Sequence, residues 1–401
     1  MKIALEAKRF FESGTGFGNY SRTLVGDLAT FFPDSKYLLY APDTEQSLSI
    51  SSMAHSAEID RTLSHRSVKV IYPPLSLSGK LYWKTFGARK SLRDNQIDLY
   101  HGLSQQIPRS IRLSKVPKIL SIHDLIYRKY PDLCPEEDLK PLDKQIKRAC
   151  QISDHIVAVS ENTKRDLIQS FSINPSKISV IYQACDPRYA YQNSADKRQR
   201  IKEKYNLPDS YLLYVGSITK RKNLLTIVKA LNVLPKEERL PLVVVGGRTS
   251  YTQEVLRYAE ENDLRELLIF PRYVATDDLP AVYQSARLFL YTSLYEGFGI
   301  PVVEAITSGI PVISSSTSSL PEAAGSGSFL VDPLDIGQTA EAIVRLNRDE
   351  ALRENMIEQG RHHCQKFDNR RVTAAMSELY SRLVKKKSPK QDRFDREEHY
   401  R

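Results

Sequence analysis

The chain has 401 residues, of which 41% are hydrophobic, so it can build substantial cores and a disordered protein is excluded. Its formal net charge of +10 favours anionic partners such as nucleotides, phosphates, nucleic acid or an acidic membrane surface. At roughly 150 residues per domain, two domains of similar size are the simplest division.

The cysteines and the N-terminus predict a cytoplasmic protein with reduced thiols. Cys134, Cys150, Cys185 and Cys364 are widely spaced and form no CxxC pair, so neither a disulfide framework nor a zinc site is expected. No apolar run approaches the ~20 residues that a membrane-spanning helix needs. The N-terminus is predicted to form a short strand and not a signal peptide, because no long apolar segment follows it.

Short β-branched runs alternate with helical patterns along almost the whole chain, which is typical of parallel sheets covered by helices. The strands predicted in the first half are Lys2–Ala7, Tyr37–Ala41, Val68–Tyr72, Leu99–His101, Lys118–Ile122, His155–Val159 and Ile178–Tyr182. Those predicted in the second half are Tyr211–Val215, Leu242–Val245, Leu267–Phe270, Leu288–Tyr291, Val312–Ser314 and Ser328–Val331. After Gln338 the pattern is helical throughout.

This alternation predicts an α/β protein with two doubly wound, Rossmann-like domains whose sheets present their carboxyl ends to a cleft. We assign residues 1–191 to the first domain, the polar segment 192–204 to a linker and residues 205–368 to the second domain. Residues 369–384 have the amphipathic pattern of a C-terminal helix. The charged tail 385–401 is expected to fray.

The segment from Tyr291 to Glu304 is the strongest candidate site. A strand is predicted to end at Tyr291, a glycine-bearing loop follows, and Pro301 occupies the place of a first helical residue. The backbone N–H groups of Val302 and Val303 are then predicted to be unpaired at a helix N-terminus, which suits a phosphate.

Two carboxylates flank this helix terminus. Glu296 is predicted on the loop and Glu304 in the first helical turn, and carboxylates accept strong hydrogen bonds from sugar hydroxyls. The competing interpretation is that Glu304 only favours the helix dipole and that Glu296 is a solvated loop residue.

A second candidate is the basic loop between Gly216 and Asn223. Lys220, Arg221 and Lys222 follow a predicted strand and open a helix, at the same sheet edge as the Glu296 loop. Such cations can neutralise a diphosphate leaving group. The alternative is a solvated run of charges.

Two weaker candidates lie in the first half. Gly16, Phe17 and Gly18 are predicted to form a loop ahead of a helix that begins near Tyr20. Their spacing departs from GxGxxG, and a plain turn is equally consistent with it. His123 follows the apolar strand ending at Ile122, where ligands bind in α/β sheets, although a lone histidine is more often structural.

The Glu296–Glu304 spacing, with its glycines and Pro301, resembles the E-x7-E signature of glycosyltransferase family 4. The loop from Gly216 to Asn223 and the segment Val157–Thr163 resemble the same family, and the resemblance covers about residues 1–380. It implies the GT-B fold, with a C-terminal helix that crosses back onto the N-terminal domain. It also implies transfer of a sugar from a nucleotide diphosphate sugar, with retention of configuration and without a metal ion or other cofactor.

The resemblance implies a role for each matching residue. Those expected near the donor sugar and its reacting carbon are Glu296, Gly297, Phe298, Gly299 and His123. Those expected to hold the diphosphate are Arg221, Lys222, Val302, Val303 and Gly16. Glu304 is expected to bind the ribose, Tyr273 and Val274 the base, and the loop Gly16–Gly18 the acceptor. Many relatives have arginine directly after the glycine that matches Gly216, and here that position is Ser217, so either Arg221 substitutes or leaving-group stabilisation is weaker.

The Gly-Ser…Arg-Lys-Asn variant of the basic loop resembles bacterial mannosyltransferases of surface-polysaccharide assembly, including lipopolysaccharide. This makes GDP-mannose the first expectation for the donor, a UDP-hexose the alternative, and a glycan or lipid-linked glycan the acceptor. Three other interpretations stay open: a nicotinamide-dependent dehydrogenase, a basic nucleic-acid-binding protein and a non-catalytic sugar-nucleotide binder. The broken GxGxxG, the scattered charge and the intact glutamate pair argue against these three in turn.

The segment Lys80–Arg93 mixes basic residues with Leu81, Trp83, Phe86 and Leu92. A basic amphipathic helix can lie on an anionic membrane surface, which predicts a possible peripheral contact with the inner face of the membrane. The alternative is an ordinary surface helix whose apolar residues pack on the sheet.

Overall fold

A computed structural model describes residues 1–12, 16–43, 56–73 and 87–387 of the chain. The protein divides into two compact units. The first contains Met1–His123, Glu136–Ala184 and the C-terminal segment from Asn369, and the second contains Asp124–Pro135 and Cys185–Asp368. The chain therefore passes from one unit to the other after His123, Pro135, Ala184 and Asp368.

The described helices follow the predicted alternation. In chain order they are α1 (Lys8–Glu12), α2 (Gly16–Phe31), α3 (Ser56–Leu63), α4 (Ala88–Asp94), α5 (Ile126–Lys129), α6 (Glu136–Ile152), α7 (Glu161–Phe171), α8 (Ala195–Tyr205), α9 (Leu224–Val233), α10 (Tyr251–Glu261), α11 (Leu279–Ser285), α12 (Ile300–Thr307), α13 (Leu320–Ala324), α14 (Ile336–Arg348), α15 (Glu350–Cys364) and α16 (Asn369–Lys387). None of the helices in the described part of the chain is long and apolar enough to cross a membrane.

The first unit is built on a parallel sheet of seven strands, in the order β3-β2-β1-β4-β5-β6-β7. The strands are β1 (Lys2–Glu6), β2 (Lys36–Tyr40), β3 (Val68–Ile71), β4 (Leu99–Gly102), β5 (Lys118–Ile122), β6 (His155–Ala158) and β7 (Ile178–Val180). Central strands such as β5 are buried at every position, which explains why their sequences are nearly continuous apolar runs. The strand order reverses between β1 and β4, where a doubly wound sheet forms its ligand crevice.

The second unit is built on a parallel sheet of six strands, in the order β10-β9-β8-β11-β12-β13. The strands are β8 (Leu212–Val215), β9 (Leu242–Val245), β10 (Leu268–Ile269), β11 (Leu288–Tyr291), β12 (Val312–Ser315) and β13 (Phe329–Val331). Its order reverses between β8 and β11, which pair directly through Leu212↔Leu288 and Leu213↔Phe289. All thirteen predicted strands are thus confirmed, three of them with identical bounds and the others with ends that differ by at most two residues.

The C-terminal helix α16 belongs to the first unit, as the resemblance implied. Its apolar side is buried in the core of that unit. The side chains that it contributes are Val372, Met376, Leu379, Tyr380 and Leu383. The helix therefore completes a core whose other members come from the first half of the chain.

Three details of the domain prediction are wrong. The segment 192–204 is not a linker, because Ser194 caps α8, and α8 packs against α11 within the second unit. The chain instead changes unit after Ala184. The short stretch Asp124–Pro135 belongs to the second unit, although its sequence lies in the middle of the first.

The helix predictions in two places also need correction. Gly16, Phe17 and Gly18 are not in a loop, because α2 already begins at Gly16. Only the end of the basic segment Lys80–Arg93 can be judged, since residues 80–86 lie outside the described ranges. There α4 buries Ala88 and Leu92 against the protein, which favours the surface-helix interpretation for this part.

We expect Met376→Ala to lower the free energy of unfolding by about 2–5 kcal/mol, because it removes a side chain that is 1% exposed in the core of the first unit. Urea unfolding followed by circular dichroism measures the loss. Glu378→Ala, on the exposed side of the same helix, serves as the matched control. Equal stabilities of the two variants would contradict the role of α16 in this core.

Candidate active site

The two candidate loops of the second unit lie side by side because they follow the adjacent parallel strands β8 and β11. The turn after β8 is made at Gly216, which has a φ of +155°. Gly246, at the end of β9, has the same φ, and a Cβ on it would lie 2.0 Å from the carbonyl oxygen of Gly216. Only glycine fits this close approach of two backbones, so the two turns fix each other's position.

The basic loop is tied to the Glu296 loop by main-chain contacts. The backbone N–H of Leu294 donates to the carbonyl oxygen of Arg221 at 2.8 Å. The amide Nδ2 of Asn223 donates to the carbonyl oxygens of Thr292, at 3.0 Å, and Pro333, at 2.7 Å. Asn223 has a left-handed backbone with a φ of +57°, a conformation that asparagine tolerates well. These bonds set the distance between the cations of one loop and the carboxylate of the other.

The carboxylate of Glu296 is the centre of the site. Its Oε1 lies 2.7 Å from Nη1 of Arg221 and 3.0 Å from Nζ of Lys222, and it accepts a 3.1 Å hydrogen bond from the hydroxyl of Tyr291. Lys222 also donates to the Tyr291 hydroxyl oxygen. Among the described residues, Oε2 of Glu296 has no hydrogen-bond partner. One oxygen is therefore fixed by the protein, while the other is available to accept a hydrogen bond.

Charge and burial oppose each other at this carboxylate. Burial raises the pKa of Glu296, but Lys222 and Arg221 outweigh it and lower that pKa to about 2. Burial lowers the pKa of the Lys222 ammonium, and Glu296 counteracts part of that shift. Two cations face one carboxylate, so the cluster keeps a surplus positive charge that suits an anionic ligand.

The interpretation of these residues as solvated is wrong. Glu296 is only 8% exposed, and the side chains of Arg221 and Lys222 are 20% and 13% exposed. Lys220, in the same turn, is different, because its side chain is 67% exposed and its ammonium lies 4.0 Å from Glu254. The basic run therefore divides into two buried cations and one surface cation.

The helix terminus at α12 differs from the prediction. The N–H groups of Val302 and Val303 are not unpaired, since both donate to the carbonyl oxygen of Gly299, at 3.0 and 3.4 Å. Within the described residues, the N–H groups of Gly299 and Ile300 have no acceptor, and these two are the donors available to a phosphate. The sequence analysis made Pro301 the first residue of the helix, whereas it is the second. The N–H groups predicted to be free were therefore too far toward the C-terminus.

Phe298 also contributes differently from the prediction. Its side chain is buried against Phe367, with ring centroids 5.1 Å apart. Any contact between this residue and a donor sugar therefore falls to its backbone.

Glu304 is the fifth residue of α12 and lies in its second turn, not in the first. Its Oε2 accepts a 3.1 Å hydrogen bond from the hydroxyl of Tyr283. Burial raises the pKa of Glu304 to about 7, although hydrogen bonds from Tyr283 and Tyr189 oppose the shift. The predicted ribose contact stays a prediction. Because Glu304 lies beyond the first turn and its carboxylate accepts the Tyr283 hydroxyl, favouring the helix dipole is not its main interaction.

His123 follows β5 in the first unit. Its Nε2 donates to the carbonyl oxygen of Leu103 at 2.9 Å, and its Nδ1 lies 3.2 Å from the amide Nε2 of Gln183. The rings of Phe17 and Tyr20 meet it edge-on, at 4.5 and 4.6 Å between centroids. Burial lowers the pKa of His123 to about 4. The ring is therefore neutral at physiological pH with both nitrogens engaged, which suits a fixed polar contact better than a proton shuttle.

Sequence reasoning missed Tyr291, Asn223 and Gln183. Tyr291 had a usable signal, because it ends the strand that leads directly into the Glu296 loop. Tyr273, predicted to contact the base, is 65% exposed in the loop after β10, and its role and that of Val274 stay predictions.

Comparison with known proteins decides the family. Residues 38–189 match the family described as Glycosyltransferase Family 4, and residues 196–363 match Glycosyl transferases group 1. The chain is a group 1 glycosyltransferase. This result replaces the dehydrogenase and nucleic-acid interpretations of the sequence. The second match contains both Glu296 and the basic loop.

Individual relatives agree with this assignment. The chain is 28% identical over 395 residues to the O-antigen chain mannosyltransferase B of Escherichia coli, covering 96% of this chain and 100% of the relative. A solved glycosyltransferase from Rickettsia africae ESF-5 superposes with a TM-score of 0.75 at 17% identity, covering 96% of this chain and 98% of the other. Anabaena HepE in complex with UDP and glucose superposes with a TM-score of 0.74 at 18% identity, covering 95% and 99%. These likenesses establish the GT-B fold.

We expect the contribution of Glu304 to stability to fall as the pH rises. Its folded pKa of about 7 lies above the ordinary value of 4.5, so between these values the folded protein binds more protons than the unfolded chain. Stability is therefore lost as the pH rises through this window. Glu304→Gln removes the titration, so this variant should gain stability relative to the wild type between pH 5 and pH 8.

Urea unfolding at several pH values tests this expectation. Glu254→Gln, which replaces an exposed carboxylate on α10, controls for the loss of one charge. If the stability difference between the wild type and Glu304→Gln is the same at pH 5 and pH 8, the carboxyl group of Glu304 does not have a raised pKa.

Proposed function

We propose that this glycosyltransferase transfers a hexose, with mannose as the first choice, from a nucleotide diphosphate sugar to a glycan or lipid-linked glycan during surface-polysaccharide assembly. The observation that carries the proposal is the buried Glu296 cluster beside a helix terminus. There two cations contact one carboxylate oxygen, and the other oxygen is left without a hydrogen bond among the described residues. Transfer is proposed to retain the anomeric configuration, as the family resemblance implies.

The cations and the helix terminus suit the diphosphate. Arg221 and Lys222 bring two positive charges, and only one of them is balanced by Glu296. The free N–H groups of Gly299 and Ile300 add two donors at the start of α12. A bound diphosphate would take up the surplus charge, and the same contacts would stabilise it as it leaves. The inward position of Arg221, 2.7 Å from Glu296, supports the alternative in which Arg221 substitutes for the arginine that Ser217 replaces.

The free oxygen of Glu296 suits the donor sugar. Its partner Oε1 is held by three donors, so the carboxylate plane is fixed before any ligand binds. The low pKa keeps the group ionised, and an ionised oxygen forms strong hydrogen bonds with hydroxyl groups. We assign Oε2 to a hydroxyl of the hexose, and this contact orients the anomeric carbon with respect to the leaving group.

The proton of the acceptor hydroxyl needs a destination. His123 is a poor base, because its pKa is about 4 and both of its nitrogens are engaged. The family resemblance implies that an oxygen of the departing diphosphate, on the same face of the sugar, accepts this proton. We therefore propose front-face displacement, in which the bond to the leaving oxygen breaks as the acceptor oxygen attacks and its proton passes to that phosphate.

The choice of mannose is supported by the E. coli relative named an O-antigen chain mannosyltransferase, which this chain matches along its full length. The alternative is a UDP-hexose, since HepE was solved with UDP and glucose. We also propose a cytoplasmic location, with peripheral contact at the inner face of the membrane where lipid-linked acceptors are presented.

Thermal-shift screening with nucleotide sugars tests the donor. We expect GDP-mannose to raise the melting temperature more than UDP-glucose. The shift measures binding, because a ligand at ~100 times its dissociation constant adds roughly 2.7 kcal/mol of stability. Lys222→Ala should lose this shift and lose activity by about 10- to 100-fold, since a charge-assisted contact to phosphate disappears. Lys220 lies in the same turn as Lys222 but is exposed, so Lys220→Ala should behave like the wild type.

Three results would contradict parts of the proposal. If no nucleotide sugar shifts the melting temperature, the chain is not an active transferase of this kind. If Lys220→Ala and Lys222→Ala are impaired equally, the buried cluster is not the donor site. A β-linked product from GDP-α-mannose, detected by the one-bond C1–H1 coupling in the NMR spectrum, would overturn retention.

Activity should persist in EDTA, because Arg221, Lys222 and the start of α12 take the electrostatic role that a metal ion has in other transferases. The product is measured directly by chromatography, so that no metal-dependent coupling enzyme interferes. Loss of turnover in EDTA, restored by Mg²⁺ or Mn²⁺, would show that transfer depends on a metal ion.

A further inference from the structure

A chain of buried hydrogen bonds runs through the first unit from the C-terminal helix to the neighbourhood of His123. The hydroxyl of Tyr380, on α16, lies 2.7 Å from Nδ1 of His101 at the end of β4. The Nε2 of His101 lies 2.8 Å from Oγ of Ser121 on β5. The same Oγ lies 2.9 Å from the hydroxyl of Tyr20 on α2. Four elements that are distant in the sequence thus share one polar path.

Every member of this path is removed from solvent. His101, Ser121 and Tyr380 are 0% exposed, and Tyr20 is 7% exposed. Burial, with a smaller effect of His123, lowers the pKa of His101 to about 3, so its ring is neutral. A neutral imidazole has one donor and one acceptor nitrogen, and the hydroxyls on its two sides match that pair with either tautomer. In either tautomer, the ring of His101 therefore links the hydroxyl of Tyr380 to that of Ser121.

The path ends against the ring of His123. The ring of Tyr20 meets that of His123 at a centroid distance of 4.6 Å and an angle of 90°. Ser121 lies on β5 and His123 directly follows that strand, and Tyr20 contacts both residues, Ser121 through its hydroxyl and His123 through its ring. Because the Tyr20 hydroxyl is anchored at Ser121, its ring is held as one wall of the His123 site, and Phe17, three residues earlier on α2, forms a second wall.

The polar path is costly for a core, because hydroxyl and imidazole groups lose water when they are buried and regain only their mutual hydrogen bonds. Phenylalanine, leucine and alanine would fill the same space without that loss. Buried polar groups instead select one arrangement among several apolar packings. At this place the selected arrangement is the orientation of the aromatic wall beside His123.

We propose that Tyr380, His101, Ser121 and Tyr20 are positioning residues that hold His123 in the orientation required for sugar transfer, so that α16 takes part in turnover as well as in folding. The inference rests on the proposed function and on the family resemblance, which implies that His123 lies near the reacting carbon of the donor sugar. Loss of the path leaves donor binding by the Glu296 cluster intact, because that cluster belongs to the second unit.

Steady-state kinetics of Tyr380→Phe and Ser121→Ala test the proposal. We expect kcat to fall by about 5- to 20-fold in both variants, with the KM for the donor changed by less than about 2-fold, since the lost interaction orients a group for the transition state. Ser121→Thr keeps the hydroxyl and should restore most of kcat.

Tyr37→Phe is the matched control. Tyr37 is a 1% exposed tyrosine of the same core, and its hydroxyl donates to the carbonyl oxygen of Phe32 at 2.9 Å without reaching the path. It should lower the melting temperature about as much as Tyr380→Phe, yet leave kcat unchanged. Equal kcat losses in Tyr37→Phe and Tyr380→Phe, or wild-type kcat in Ser121→Ala, would overturn the proposal.

A measurement without substrate separates this inference from the proposed function. Histidine ring signals in a ¹H–¹⁵N spectrum are few, because the chain has 8 histidines, and His123→Gln identifies the signal of His123. Ser121→Ala should shift that signal, whereas Tyr37→Phe should not. An unmoved signal would refute the positioning role even in an active enzyme. A shifted signal in a protein that binds no nucleotide sugar would refute the proposed function and leave the path established.

Discussion

The ion cluster at Glu296 is the interaction on which the second unit's site depends. One carboxylate oxygen joins Arg221, Lys222 and Tyr291, so two loops that follow different strands are held together by a single buried anion. Two buried cations without this anion would repel each other in a medium that screens charge poorly. The cluster thus stores positive charge next to a helix terminus without exposing it, and the backbone bonds of Asn223 and Leu294 keep its dimensions constant.

The first unit uses a different physical device at the corresponding edge of its sheet. Its polar groups near His123 are neutral, and each is paired with another group of the protein. The second unit carries ionised groups with one oxygen left open. The two units therefore hold their polar groups differently: neutral groups are paired with one another in the first, and charged groups leave one oxygen free in the second.

The sequence predicted the strands well because central strands such as β5 and β11 are buried on both faces, which leaves an apolar run that needs no tertiary information. It also predicted that the loops of Arg221 and Glu296 share one edge, since the parallel direction of the strands follows from the alternation, but the adjacency of β8 and β11 came only from the structure. It could not predict the pairing of the Val302 and Val303 N–H groups, because one residue at a helix start decides which donors are free. The segment 192–204 was misjudged because a polar surface helix and a linker have the same composition.

The placement of α16 has a consequence for how the protein is made. The core of the first unit needs Met376, Leu379 and Tyr380, and these residues leave the ribosome only after the entire second unit has been synthesised. The core of the first unit is therefore incomplete while the second unit is being synthesised. Until α16 has been synthesised, an apolar surface that it will cover stays open to water, so the nascent chain is prone to aggregate during that interval.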